Sequence, residues 1–158
     1  MLLIRRYQAQ DNKVVKELHY AGLEQFGATF EPAPYYDGDL DIENVYINNH
    51  GDFLVGILVD EIVAMGAIRK ISNICGEIKR IRVRRDCQRQ GFGQTILLRL
   101  IDLAAQLGYR ELSLDTLANN IPAQSLFEKF GFVETHRGKL GRFDLLFYSK
   151  KLNKDERR

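Results

Sequence analysis

Two glycines in a polar turn are the residues whose spacing most clearly suggests a binding site. Residues 87–94 read CQRQGFGQ, and Gly91 and Gly93 lie between a basic, strand-like run and a long segment with helical apolar periodicity. A turn that opens a helix after a strand presents unpaired backbone N–H groups and the positive end of the helix dipole to one point. Glycine lets an anion approach that point where a Cβ would collide. The pattern indicates a phosphate site, although a lone Gly-x-Gly is more often a turn without a ligand.

Two common nucleotide-binding motifs do not fit this turn. The dinucleotide fingerprint GxGxxG needs a third small residue at position 96, where the chain has Ile96. A P-loop needs GxxxxGK followed by Ser or Thr, and the sequence has no such run. The sequence therefore argues against dinucleotide binding and against hydrolysis of nucleoside triphosphates.

Length, composition and charge exclude several broad classes. The 158 residues fit one domain, which we expect over residues 1–152, with a short charged tail over 153–158. A net charge of only +2 argues against a nucleic-acid binder. Because no apolar run approaches the roughly 18 residues of a membrane span, we expect a cytoplasmic protein with no membrane partner. Cys75 and Cys87 lack metal-ligand spacing, so we assign no metal site.

Periodicity and turn residues predict the elements of the first half. A strand over residues 2–7 precedes a helix for which Asp11 is the predicted N-cap. Residues 27–50 are irregular, with a helical turn near 40–47. Runs 53–59 and 62–71 predict a hairpin around Asp60 and Glu61, and run 77–83 continues the antiparallel order.

The second half alternates helices and strands. A long helix follows Gly93 and ends at Gly108, and a strand is predicted over residues 111–115. Pro122 is typical of the first residue of another helix, which Gly131 ends. Strands 133–135 and 143–151 enclose a loop with Gly138 and Gly141. The order predicts an α/β fold with one mixed, mostly antiparallel sheet of about six to seven strands, flanked by helices.

The glycine turn and a second segment together resemble the signatures of a known family. Gln88, Gly91 and Gly93 match the motif Q/R-x-x-G-x-G/A, and residues 120–132 (NIPAQSLFEKFGF) resemble N-x-x-A-x-x-L-Y followed by a Gly-Phe pair. In this order and spacing, the chain resembles the GNAT superfamily of N-acetyltransferases over essentially its whole length, least over residues 27–50. The resemblance implies that strands 77–83 and 111–115 splay apart and that acetyl-CoA enters the gap.

The resemblance also implies which residues bind acetyl-CoA. The backbone of the first splayed strand would hydrogen-bond the pantetheine arm, and the amides of the glycine loop would wrap the pyrophosphate. Asn120 and Phe127 would contact the cofactor from the second signature. The implied cofactor-binding set is Ile81, Arg82, Val83, Arg89, Gln90, Gly91, Phe92, Gly93, Gln94, Asn120 and Phe127.

Acetyl transfer to an alkylammonium requires its deprotonation, which costs roughly 4 to 5 kcal/mol at pH 7, so a general base is expected. By resemblance the candidates are Glu77, which we prefer, and Asp115 on the neighbouring strand. Each also has a structural reading, Glu77 as a strand-end acid paired with an arginine and Asp115 as a turn acid. The family usually has a tyrosine at the position of Phe127 to protonate the CoA thiolate. Tyr148 and Tyr109 are alternative donors, as is water.

The acceptor is the least readable part of the sequence. The acidic and aromatic residues Tyr35, Tyr36, Asp37, Asp39, Asp41 and Glu43 suit a cationic amine or a solvated loop, and His136, Arg137, Lys139 and Arg142 favour a carboxylate. We therefore predict an acetyl-CoA-dependent N-acetyltransferase acting on a primary amine of a small molecule or peptide. A catalytically silent acyl-CoA-binding module is the alternative, and a homodimer through the terminal strands stays open.

Overall fold

The computed structural model describes residues 1–27 and 41–153. In these residues seven strands form one sheet in the order β1-β2-β3-β4-β5-β7-β6. The elements along the chain are β1 Leu3–Arg6, α1 Asn12–Gln25, β2 Asp52–Leu58, β3 Glu61–Lys70, β4 Cys75–Val83, α2 Phe92–Gln106, β5 Glu111–Leu117, α3 Ile121–Lys129, β6 Val133–Leu140 and β7 Phe143–Lys151.

The sheet is mixed, as the sequence predicts. The pairs β1–β2, β2–β3, β3–β4, β5–β7 and β6–β7 are antiparallel, and only β4 and β5 run parallel. The parallel pair is joined through α2, which is the crossover helix that parallel neighbours need. The predicted fold class is thereby confirmed.

Each face of the sheet is covered by its own apolar cluster. On one face α2 buries Ile96, Leu97 and Leu100 against β3, β4 and β5. On the other, Val15 and Leu18 of α1 pack with Tyr46, which belongs to a π-helical turn at Glu43–Ile47. The sheet is therefore buried on both sides over its middle strands, and a polar site must lie where this packing opens. None of the described helices is long and apolar enough to cross a membrane.

Asp11 is the N-cap residue of α1, as predicted, although its carboxylate accepts from the Arg5 guanidinium at 2.7 and 3.0 Å and makes no bond to the helix backbone. Two other local predictions need correction. Pro122 is the second residue of α3, which begins at Ile121. Gly138 lies within β6, so the final turn is short and only Gly141 is in it. Local turn propensity cannot anticipate that β6 pairs with β7 along its whole length.

Two other predictions fall wholly or partly outside the described residues. Of the predicted charged tail 153–158, only Asn153 is described. Of the acidic and aromatic segment, Tyr35, Tyr36, Asp37 and Asp39 lie outside, while Asp41 and Glu43 are exposed. The extent of the domain, 1–152, stays a prediction.

Candidate active site

A cleft opens where β4 and β5 separate. Their parallel ladder ends at the pair Glu77–Ser113, although β4 continues to Val83 and β5 to Leu117. The gap is a cavity of about 150 Å³. Helix α1 contributes to its wall on one face of the sheet and α3 on the other. Its lining includes His19, Gly22, Leu23, Phe26, Glu77, Lys79, Arg80, Ile81, Arg82, Leu114, Asp115, Thr116, Asn120, Leu126 and Phe127.

A β-bulge in β4 accompanies the separation. Lys79 pairs with Ala67 and Arg82 pairs with Met65, so two residues of β4, the first of them Arg80, oppose a single residue of β3. Arg80 has a φ of +60°, a left-handed conformation that is rare for a residue with a side chain. A bulge bends its strand and redirects the groups beside it. The bulge therefore turns the end of β4 away from β5 and opens the cleft.

Both predicted carboxylates lie on this cleft, in different environments. Glu77 Oε1 accepts a 2.7 Å hydrogen bond from Arg69 across the β3–β4 pair, and only 14% of its side chain is exposed. Asp115 is open to solvent from the cleft and makes no hydrogen bond or ion pair with any described residue. Loss of hydration against the cleft walls, and then the charge of Glu77, raise the pKa of Asp115. Asp115 therefore takes up a proton more readily than an aspartate in water does.

Arg82 crosses the cleft wall toward α1. A Cβ added to Gly22 would collide with Arg82 Cδ, so the absence of a side chain in α1 makes room for the guanidinium. Burial, followed by the charge of Arg80, lowers the pKa of Arg82 to about 10, while Asp115 acts in the opposite direction. The cleft therefore holds a cation beside its two carboxylates.

The glycine loop lies at the end of β4, where α2 begins. Gly91 is the N-cap of α2 with a φ of +85°, and no atom lies within 4 Å of an added Cβ. Gly93 is the second helical residue, and its Cβ would make ordinary contacts with Leu126 at 3.7 Å and Val83 at 3.8 Å. Gln88 Nε2 donates to the Val83 carbonyl at 2.9 Å and so ties the loop to the strand. The left-handed φ of Gly91 favours glycine by itself, whereas neither crowding nor conformation requires Gly93, which leaves close approach by a ligand as a reason for Gly93.

The second signature shapes the α3 side of the cleft. Asn120 Oδ1 accepts from Ala123 N at 3.2 Å and caps α3. Phe127 is buried in the wall, with its ring 5.9 Å from that of Phe132. Tyr148 donates its hydroxyl hydrogen bond to Glu128 at 3.1 Å, and Tyr109 donates to the His50 carbonyl at 2.6 Å. Burial, with the Glu128 contact, raises the pKa of Tyr148 to about 12. Both hydroxyls are committed elsewhere, and neither tyrosine is in the cavity wall.

The structure brings six of the thirteen predicted site residues into one cavity wall. They are Glu77, Ile81, Arg82, Asp115, Asn120 and Phe127. Val83 and the loop 89–94 lie beyond it, at the start of α2, with Gln94 accepting from Lys129 at 3.1 Å. Sequence reasoning missed Arg69 and Gly22, and the only signal for Gly22 was a glycine inside an amphipathic helix.

The four basic residues that the sequence offers for a carboxylate, His136, Arg137, Lys139 and Arg142, lie outside the cavity wall described above. Arg137 pairs with Glu134 at 3.2 Å, and Lys139 pairs with Asp144 at 3.4 Å. Arg142 lies over the ring of Phe143, and His136 stacks on Phe147 at 4.3 Å. These contacts account for the positions of the four side chains, so no bound acceptor is needed to explain them. Any recognition of an anion inside the cavity therefore falls to β4.

Comparison with known proteins gives consistent matches. The model of the acetyltransferase (GNAT) family matches residues 15–132. An uncharacterized N-acetyltransferase of Bacillus subtilis is 37% identical over 75 residues, which are 46% of this chain and 50% of that protein. One of Schizosaccharomyces pombe is 36% identical over 61 residues, 39% of this chain and 37% of that protein. The matched segments span half or less of the length of these two relatives.

Solved structures match over nearly the whole chain. A GNAT-family acetyltransferase of Staphylococcus aureus Mu50 has a TM-score of 0.84 at 22% identity, covering 97% of this chain and all of that one. A GNAT-family acetyltransferase of Elizabethkingia anophelis, solved with acetyl-CoA bound, has a TM-score of 0.72 at 19% identity, with 96% and 98% covered. At these identities the likeness shows the fold alone.

Proposed function

The chain belongs to the acetyltransferase (GNAT) family, and on that premise we propose that it transfers an acetyl group from acetyl-CoA to a primary amine in the cleft between β4 and β5. The observation that carries this proposal is the separation of the two strands beyond Glu77–Ser113, with two carboxylates on the resulting cleft. A primary amine of a small molecule or of a peptide fits the proposal, and we infer the compound class below.

The chain's own groups fit acetyl-CoA, which supplies the activated acyl group. Ile81 and Arg82 continue β4 past the end of the parallel ladder, so their backbone is available to an extended pantetheine arm. The loop 89–94 combines a helix N-terminus with two glycines whose Cβ positions are open or in ordinary contact only. Backbone N–H groups and a helix dipole are the groups that bind a pyrophosphate.

We assign the two carboxylates different tasks. Glu77, fixed by its 2.7 Å hydrogen bond from Arg69, holds the acceptor ammonium at the cleft. Asp115 accepts the proton, because a carboxylate without a hydrogen-bond partner and with a raised pKa is a stronger base than an ordinary aspartate. The amine nitrogen then bonds to the acetyl carbon as the C–S bond breaks. The second proton of the nitrogen would pass through water to the leaving thiolate, because Phe127 has no proton to give.

The test separates binding from transfer. Calorimetry measures the Kd of acetyl-CoA, and a thiol-release assay measures transfer across a panel of amines. We expect Asp115→Asn to lower kcat by about 100-fold or more, which is the usual worth of a general base. We expect Glu77→Gln to act mainly on the KM of the amine. Neither variant should change the Kd of acetyl-CoA, and Asp102→Asn, an exposed position on α2, is the matched control.

The alternative is a silent acyl-CoA-binding module, and Phe127 is the observation that favours it. Acetyl-CoA binding without transfer to any amine of the panel would support this alternative and overturn the enzymatic proposal. A protein that fails to bind acetyl-CoA would contradict both.

A further inference from the structure

Arg82 is a cleft residue with a hydrogen-bond donor that nothing in the described chain uses. Its Nε is buried and has no hydrogen-bond partner, and its NH1 reaches only the carbonyl of the adjacent Ile81, at 3.3 Å. It forms no ion pair with a described residue. A buried polar group without a partner costs free energy, so a native structure that keeps one usually has a use for it.

The fold makes room for this side chain. Gly22 of α1 lies directly against it, with Nε 2.7 Å from the position that a Cβ on Gly22 would occupy. Any other residue at position 22 would therefore have to displace the guanidinium. Arg82 and Gly22 are both in the wall of the cavity that contains Glu77 and Asp115.

Arg82 does not face the proposed pyrophosphate loop. Successive residues of a strand point to opposite faces. Val83 is the residue that faces the loop, with its Cγ2 3.8 Å from the Cβ position of Gly93. Arg82 lies on the α1 face of β4, against Gly22. The phosphates of the cofactor are thus poor candidates for its partner, whereas an acceptor that enters from the α1 side of the cleft would meet its Nε.

The charges around Arg82 indicate that its partner is an anion. Burial and the charge of Arg80 both disfavour a guanidinium at this place, and Asp115 only partly offsets them. An incoming anion would relieve both costs, and guanidinium groups match carboxylates in shape as well as in charge. The cavity, at about 150 Å³, is smaller than the roughly 300 to 1,000 Å³ of a pocket for a drug-sized ligand, which favours a compact acceptor.

We propose that the acceptor is a small amino acid, with its carboxylate on Arg82 and its amino group at Glu77 and Asp115. This proposal rests on the acetyltransferase function proposed above and adds the substrate class. It places recognition of the acceptor carboxylate on β4, inside the cleft, and assigns no such role to the exposed cations of the β6–β7 hairpin.

The test compares amino acids with matched compounds that lack the negative charge. Methionine, glutamate, serine and phenylalanine are each assayed beside their carboxamides, in which the amino group is less basic and hence easier to deprotonate. We expect at least one amino acid to be acetylated with a kcat/KM about tenfold or more above that of its carboxamide. Arg82→Gln should raise the KM of that amino acid by about 10- to 100-fold, as expected for a lost charged hydrogen bond, and reduce the kcat/KM ratio of acid over carboxamide by a similar factor.

Two further measurements guard this comparison. Calorimetry with protein saturated with CoA measures binding of the amino acid without turnover. Arg82→Gln should abolish this binding, and Arg82→Lys should retain part of the affinity. Arg99→Gln removes the same charge from an exposed position on α2 and should change nothing. If Arg82→Gln does not fold, the comparison of acids with carboxamides on the wild type decides alone.

Carboxamides or simple amines acetylated as well as the acids would overturn the carboxylate site and leave the acetyltransferase function intact. An unchanged KM in Arg82→Gln would do the same. If no amino acid bound or was acetylated, the inference would also be overturned. If the wild type did not bind acetyl-CoA, the proposed acetyltransferase function itself would be wrong, which is a separate outcome.

Discussion

Gly93→Ala should make the protein at least as stable while it weakens acetyl-CoA binding. Gly93 is the second residue of α2, and its φ is not positive. An added Cβ would meet Leu126 at 3.7 Å and Val83 at 3.8 Å, which are ordinary contacts. Alanine stabilises a helix over glycine by up to about 1 kcal/mol, and 1 kcal/mol shifts the Tm of a domain of this size by about 2 to 4 °C. We therefore expect a Tm equal to that of the wild type or up to about 4 °C higher.

We infer that the same methyl group, placed between Leu126 and Val83, also narrows the approach to the loop amides. Hydrogen bonds to a charged group contribute about 1.5 to 3 kcal/mol each, so displacing one weakens binding by about 10- to 100-fold. Calorimetry with acetyl-CoA measures this loss, and thermal unfolding without ligand measures the change in Tm. The two quantities should move in opposite directions, which a general loss of structure cannot produce.

Gly108→Ala is the matched control at the other end of α2. Gly108 has a φ of +91° and no atom within 4 Å of an added Cβ. Alanine in this left-handed conformation costs about 1 to 2 kcal/mol, which corresponds to a fall in Tm of about 2 to 8 °C. The Kd of acetyl-CoA should stay at the wild-type value. If Gly93→Ala bound acetyl-CoA like the wild type, the loop would not be the pyrophosphate site, and if it unfolded, the packing argument would be wrong.

Two further predictions concern the cleft. The raised pKa of Asp115 means that its contribution to stability is full below pH 3.8 and is lost as pH rises through the folded-state pKa. Asp115→Asn, which cannot ionise, should therefore have a higher Tm than the wild type near pH 7.5. Thermal unfolding from pH 3.5 to 8 should show that this difference in Tm becomes smaller toward acid pH. A difference in Tm that does not change with pH would show that ionisation of Asp115 is not its cause. Phe127→Tyr should leave kcat unchanged or raise it, since a hydroxyl could protonate the thiolate, and a large fall in the thiol-release assay would show that the cleft needs an apolar ring.

Much of the fold follows from local patterns in the sequence. The apolar period of α2 and its ending at Gly108, the β2–β3 hairpin, and the strand before the glycine loop depend on residues close together in the chain. Turn chemistry and side-chain periodicity act over such distances, so these elements are readable without the tertiary structure. The two signature motifs are also local, which is why the sequence indicates the cofactor-binding segments.

The chemical character of the cleft was decided only by the tertiary structure. The left-handed Arg80 has no sequence signal, because its bulge depends on the pairing of β4 with β3. The partner of Glu77 is Arg69 on another strand, and the space for Arg82 comes from Gly22, sixty positions earlier. The raised pKa of Asp115 arises from loss of hydration against the cleft walls and from Glu77 on another strand, and the lowered pKa of Arg82 arises from burial and from Arg80 at the bulge of the same strand. Local motifs in the chain therefore indicate where acetyl-CoA is expected to bind, whereas the roles proposed for the two carboxylates and for Arg82 depend on distances that exist only in the folded chain.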